Sequence, residues 1–191
     1  MSLKLQGAKI NSWGVGTNLI TSKDTPAFGG VYKLSAVATS PDATSDSAKG
    51  WEPRIKLSEN PIKVTNPGNK TVFRIYDKET KKIRADLIAL AGEKFDANED
   101  MMLFDPDATW KKTRLSGGTY EIKEILIPIF KNGQCVYESP SVMELQKKCK
   151  EELDTLWDES RRLINPQEVY VDLSDKLYDI KSSLLEKYTK K

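Results

Sequence analysis

Two glycines one residue apart near the start of the chain, Gly14 and Gly16, are the residues whose type and spacing best suit chemistry. Glycine has no Cβ, so a ligand can approach its backbone closely. The pair follows a strand-like run and precedes residues that can begin a helix. Amides left free by such a turn bind anions, most often phosphate. A plain strand-to-helix turn without a ligand gives the same pattern, because glycine is first of all a turn residue.

There is no histidine in the chain. Its absence excludes Ser-His-Asp and Cys-His nucleophilic sites and most zinc sites. We therefore predict no catalytic residue and no metal site within this chain. Asp24, Lys33 and Arg54 are polar candidates near the glycine turn in sequence, and the pattern assigns them no role.

The composition is that of a folded domain with balanced charge. The 191 residues carry 30 Lys and Arg against 28 Asp and Glu, a net charge of +2. The chain is long enough to bury a core, and its charge balance argues against a general nucleic-acid or membrane surface. With two cysteines and no recognisable secretory signal, we expect reduced thiols and a cytoplasmic location.

Four blocks in the first part of the chain stand out: Ile10-Asn-Ser-Trp-Gly-Val-Gly-Thr17, Pro26-Ala-Phe-Gly-Gly-Val-Tyr-Lys-Leu34, Pro53-Arg-Ile-Lys-Leu-Ser-Glu-Asn-Pro61 and Lys63-Val-Thr-Asn-Pro-Gly-Asn-Lys70. In this order they resemble the C-terminal part of nicotinate phosphoribosyltransferase. Residues 127–133 and the helix after them are also similar to the end of that family, less distinctively.

The resemblance implies an enzyme of NAD biosynthesis. Such an enzyme joins nicotinate to phosphoribosyl pyrophosphate, forms nicotinate mononucleotide and couples the reaction to ATP hydrolysis, with Mg²⁺ implied as well. By the same resemblance, the substrate phosphate binds at the turn made of Gly14, Val15, Gly16 and Thr17. Gly29, Gly30 and Lys33 are possible further lining residues. For the glycine pair 29–30, a packing requirement explains the sequence equally well.

The resemblance also implies that much of the active site lies upstream. The family relies on a histidine that becomes phosphorylated, and this sequence has none. We therefore expect the chain to be a C-terminal part that is inactive alone and pairs with the missing N-terminal part. Exposed strand edges of an incomplete barrel favour a homodimer.

Residues 1–69 are expected to supply late strands of a type II phosphoribosyltransferase-like α/β barrel. The pattern predicts a strand over 8–13, a brief helix over 17–22 and a strand over 28–38. A polar run over 39–50 predicts an exposed, mobile loop, and residues 51–57 predict another strand.

Residues 70–191 are expected to be a β-rich region that ends in two helices, which makes the whole chain α+β (mixed α/β). Ser141 and Glu144 form a capping-box pattern, and the following periodicity places Cys149 on a buried stripe. Ser174 can cap the last helix, with Leu177 on its apolar face. The predicted strands are 71–76, 83–90, 101–104, 110–115, 120–130, 134–137 and 169–171.

Two other functions fit parts of the pattern. A non-catalytic β-rich interaction or regulatory module is the alternative, since residues 70–191 carry no recognisable catalytic set. A nucleic-acid interface receives little support, because Phe73, Tyr76 and Tyr120 have no dense basic stripe beside them.

Overall fold

The computed structural model describes residues 3–27, 30, 32–60 and 63–189. Backbone contacts divide the chain into two units, Met1–Lys33 and Leu34–Lys191. Helix α1, Thr17–Ile20, lies in the first unit and confirms the brief helix. The strand expected over 8–13 is wrong: these residues pair with no described strand. A strand needs a hydrogen-bonded neighbour, which sequence alternation does not supply.

The second unit contains the remaining elements. The boundary expected at residue 70 stays a prediction. In chain order the elements are β1 Ala36–Ala38, β2 Trp51–Pro53, β3 Lys70–Asp77, β4 Ile83–Leu90, β5 Met101–Asp105, β6 Ala108–Leu115, β7 Tyr120–Glu124, β8 Phe130–Lys131, β9 Gln134–Cys135, α2 Val142–Asp154, β10 Val171–Leu173 and α3 Asp175–Thr189.

A four-stranded sheet in the order β10-β4-β3-β7 forms the centre of this unit. The β3–β4 and β3–β7 pairs are antiparallel, as expected, whereas β10 joins β4 in parallel. Along β4, residues 83, 85, 87 and 89 are buried and alternate with more exposed neighbours. The last strand begins two residues later than expected, because its register follows its pairing with β4.

The β5–β6 hairpin covers one face of this sheet. The core cluster joins Ile75, Ala85 and Leu87 of the sheet to Leu103 and Leu115 of the hairpin. This cluster also includes Tyr120, which is 2% exposed. The apolar alternation of these strands is therefore satisfied by a sheet-on-hairpin contact.

We expect Tyr120→Phe to lower the free energy of unfolding by about 1 kcal/mol, the net contribution of a typical hydrogen bond, because it removes the donor to two backbone carbonyls. The Tyr120 hydroxyl donates towards the Asp96 and Glu99 carbonyls, at 3.1 and 2.9 Å. Urea denaturation checks this, with Tyr170→Phe, at an exposed side chain, as the matched control. If the two variants were equally stable, these hydrogen bonds would make no net contribution to the free energy of unfolding.

The polar segment 39–50 differs from the mobile loop that its composition predicts. The Asn69 amide donates to the carbonyls of Thr44, Ser45 and Ser47 at 3.1, 3.0 and 2.9 Å. The Ala48 amide donates to the Ala91 carbonyl at 2.8 Å. The segment is exposed yet hydrogen-bonded to the start of β3 and the end of β4, an anchor that composition alone does not reveal.

The strands expected over 28–38 and 51–57 are shorter in the structure. They form only the ladder of β1 with β2, and Phe28, Gly29 and Val31 lie outside the described residues. Beyond β2, the Arg54 amide donates to the Ser35 carbonyl at 2.8 Å.

Helix α2 starts as predicted but does not pack as predicted. The Ser141 amide donates to the Glu144 carboxylate at 2.7 Å, which completes the capping box. The prediction of a buried Cys149 is wrong, because Cys149 is exposed and α2 has no buried residue. Periodicity identifies an apolar face but not an element to cover it. No described helix is long and apolar enough to cross a membrane.

Candidate functional site

The glycine turn lies fully on the surface of the first unit. Gly14, Val15, Gly16 and Thr17 are all exposed, and α1 begins at Thr17. The Gly16 carbonyl accepts hydrogen bonds from the amides of Leu19 and Ile20 at 3.0 and 3.2 Å. Within the described part of the chain, no backbone amide from residue 14 to residue 18 donates a hydrogen bond to another residue. The turn therefore presents consecutive amide donors to the outside.

Local space does not require glycine in this turn. A Cβ built at Gly14 or Gly16 would meet no heavy atom within 4 Å, and neither φ is positive. The space beside both glycines is therefore open to a ligand.

The other predicted site residues are only partly described. Gly30 and the half-buried Lys33 belong to the same unit as the turn, and a Cβ at Gly30 would also meet nothing within 4 Å. Gly29 lies outside the described residues. Arg54 belongs to the second unit, where its guanidinium donates to the Glu52 carboxylate at 2.8 Å.

No group of three or more His, Cys, Asp or Glu side chains is placed to hold a metal ion within the described ranges. The described residues thus offer no donor set for the Mg²⁺ implied by the resemblance. The exposed amides of the turn Gly14–Thr17 suit an anion instead, since backbone N–H groups carry partial positive charge.

A second feature, in the sheet unit, was not indicated by the sequence. A cavity of about 460 Å³ lies between β4, the β5–β6 hairpin and the segment that runs from Trp157 to Asp172. The Asp172 side chain lines this cavity, and the residue is only 5% exposed. The available signal was an aspartate inside the short apolar strand Val171–Leu173, because carboxylates are rarely buried without a partner.

Comparison with known proteins agrees with the resemblance. The chain is 35% identical over 194 aligned positions to the nicotinate phosphoribosyltransferase of Bacillus subtilis (strain 168), covering 97% of this chain and 38% of that protein. It is 31% identical to the enzyme of the same name from Homo sapiens, covering 95% of this chain and 31% of that protein. The chain thus spans about a third of the length of these relatives.

The solved structures agree. The crystal structure of human nicotinic acid phosphoribosyltransferase matches 70% of this chain and 25% of its own, with a TM-score of 0.58 and 25% sequence identity. The mixed α+β class is thereby confirmed, and the assignment of residues 1–69 to barrel strands stays a prediction. Residues 69–181 match the family described as Nicotinate phosphoribosyltransferase C-terminal domain. Since this match covers more than half of the chain, the protein belongs to the nicotinate phosphoribosyltransferase C-terminal domain family.

Proposed function

We propose that this chain is the C-terminal part of an enzyme that forms nicotinate mononucleotide from nicotinate and phosphoribosyl pyrophosphate, with coupled ATP hydrolysis, for NAD biosynthesis. The observation that carries its role is the exposed turn Gly14–Thr17, whose amides have no described acceptor. In this proposal the turn binds the phosphate of the substrate. Gly30 and Lys33 are further lining residues of the same pocket.

The transfer of a phosphoribosyl group suits a phosphate site made of backbone amides. Displacement of pyrophosphate depends mainly on positioning and on stabilising charge. The amides of residues 14–17 are fixed donors, and the Thr17 hydroxyl can add another. In this proposal the histidine chemistry, the ATP and Mg²⁺ sites and the nicotinate pocket belong to the remaining part of the enzyme.

The exposed apolar surface of α2 and of the segment before it supports the proposal that another part of the enzyme packs here. Helix α2 has 13 residues and none of them is buried, and a free helix of that length is only marginally stable in water. Exposed apolar side chains on α2 and on the segment before it include Leu126, Ile127, Phe130, Val142 and Leu145. We propose that the missing N-terminal part, within a homodimer, covers this surface.

A hybrid enzyme tests the proposal. In the Bacillus subtilis relative, the C-terminal region is replaced by this chain, and formation of nicotinate mononucleotide is measured. We expect Gly16→Ala to lower kcat/KM for phosphoribosyl pyrophosphate about 100-fold, the order lost with one positioned donor, because the methyl group would occupy the phosphate position. Ile20→Ala, on the exposed face of α1, is the control and should stay within about twofold.

Amide NMR of the chain alone completes the test. We expect inorganic phosphate and nicotinate mononucleotide to shift the amides of residues 14, 16 and 17, and Gly16→Ala to leave the rest of the spectrum unchanged. An active hybrid in which Gly16→Ala has no effect would refute the phosphate role. A hybrid that folds but is inactive with the native turn would favour the interaction module instead.

A further inference from the structure

The cavity in the sheet unit combines an apolar floor with polar and charged lining residues. Its floor is formed by Ile83 and Ala85 of β4, which are 5% and 1% exposed. Leu103 and Leu115 of the β5–β6 hairpin close one side, and Trp157 lies on the other. The Trp157 indole is held in place because its Nε1 donates to the Ile83 carbonyl at 2.7 Å. A volume of about 460 Å³ is in the range that small-molecule sites occupy.

The Asp172 carboxylate in this wall has no hydrogen-bond or ion-pair partner among the described residues. Asp172 pairs with Leu87 in the sheet register, so its side chain points to the same face as Leu87 and the hairpin. No described residue donates a hydrogen bond to its carboxylate or forms an ion pair with it. A buried carboxylate without a donor is costly. Its donors must therefore come from solvent or from a ligand in the cavity.

The other charged groups around the cavity are already engaged or lie at its rim. The Arg84 guanidinium donates to Asp77 at 2.8 Å, away from the cavity. The Asp105 carboxylate accepts from the amides of Asp107 and Ala108, and Lys111 lies 3.7 Å from it. Lys112 and Glu168 are exposed lining residues on opposite sides. None of these cations neutralises Asp172.

We propose that this cavity binds a small organic cation, an ammonium or guanidinium group on a short apolar body, with the Asp172 carboxylate as its counter-ion. A guanidinium or ammonium group would satisfy the two carboxylate oxygens, and the apolar body would fill the space above Ile83 and Ala85. A hard metal ion fits poorly, because it needs several oxygen ligands and Asp172 is the single buried carboxylate among the described lining residues. This site is independent of the phosphate turn.

The titration of Asp172 gives the binding a pH dependence. Burial, together with the neighbouring Asp105 carboxylate, raises the pKa of Asp172 to about 6. The other titratable groups that line the cavity are Asp105 on β5, Lys111 and Lys112 on β6, and Glu168 and Tyr170 on the preceding segment, and Arg84 on β4 is turned to Asp77. Because only the ionised carboxylate pairs with a cation, affinity should fall about tenfold between pH 7 and pH 5.

The test compares n-butylguanidinium with its neutral isostere n-butylurea, by amide NMR titration of the complete chain. We expect shifts at residues 83, 85 and 172, and at least tenfold tighter binding of the cation at pH 7.5. Asp172→Asn should remove this preference, whereas Glu168→Gln, a rim carboxylate, should leave it within threefold. Thr113→Trp adds bulk from the exposed strand β6 and should weaken both probes without changing the core.

Three outcomes would overturn the proposal. Equal affinity for the charged and neutral probes would make the cavity a non-selective apolar pocket. A preference that survives in a folded Asp172→Asn variant would place the counter-ion elsewhere. Shifts confined to Asp105 and Lys111 would show that the cation binds at the hairpin rim. None of these results bears on the phosphate turn, which lies in the other unit.

Discussion

Replacing Leu177 with alanine is expected to lower the free energy of unfolding by about 3–4 kcal/mol, within the range for fully buried leucines. Leu177 is 0% exposed and lies in the first turn of α3, which packs against β4. Its amide also donates to the Ser174 hydroxyl, which caps the helix, at 3.3 Å. The substitution removes apolar contacts and leaves a cavity that the surrounding sheet cannot fill.

Urea denaturation measures this effect. The matched control is Leu163→Ala, because Leu163 is 88% exposed, and it should change stability by less than about 0.5 kcal/mol. If the two leucine variants were equally stable, α3 would not be part of the cooperative unit, and the packing of the last helix against the sheet would be wrong.

Replacing Asp172 with asparagine is expected to stabilise the protein at neutral pH. Burial and the neighbouring Asp105 carboxylate raise the pKa of Asp172 to about 6 in the fold, from its ordinary value of 3.8, so the native state binds the proton more tightly than the unfolded state. Stability contributed by this carboxyl is complete below pH 3.8 and is lost as the pH rises to about 6. The full shift corresponds to about 3 kcal/mol, and because the cavity is open to solvent, screening reduces the loss to roughly 1–2 kcal/mol. The asparagine variant carries no charge at this position and does not undergo the loss.

We expect the free energy of unfolding of Asp172→Asn, relative to the parent, to rise from its value at pH 3.5 to a plateau above pH 7. Chemical denaturation at a series of pH values measures it, without added amines. For Glu168→Gln, on the exposed rim of the same cavity, the free energy of unfolding should differ from that of the parent by less than about 0.5 kcal/mol at every pH. A flat pH profile for Asp172→Asn would mean that the carboxylate is solvated or paired in solution.

The parts of the fold that sequence could predict are those built from local signals. The β3–β4 hairpin follows from alternation over strands 71–76 and 83–90. Asn132 and Gly133 both have positive φ, at 51° and 77°, and they join β8 to β9 as their types favour. The capping boundaries at Ser141 and Ser174 also follow from short-range patterns. Each of these features depends on neighbours within a few residues.

The wrong predictions concern features that need a distant partner. Cys149 lies on an apolar stripe, but the stripe of α2 has nothing described to cover it. The strand over 8–13 has no neighbour to pair with. Conversely, the loop 39–50 is held by Asn69, which its own composition could not indicate. In all three cases the local pattern is present and the tertiary contact decides the outcome.

The amino-acid sequence by itself determined the family, the local hairpins and helix caps, and the position of the glycine turn before α1. These depend on residue types in short runs. Only the tertiary structure decided that Asp172 is a buried carboxylate facing a cavity. Strand β10 pairs in parallel with β4, from which it is far removed in the sequence. The β5–β6 hairpin packs on the same face of the sheet. Burial and an unpaired charge arise from elements that meet in space, so no short stretch of sequence contains them.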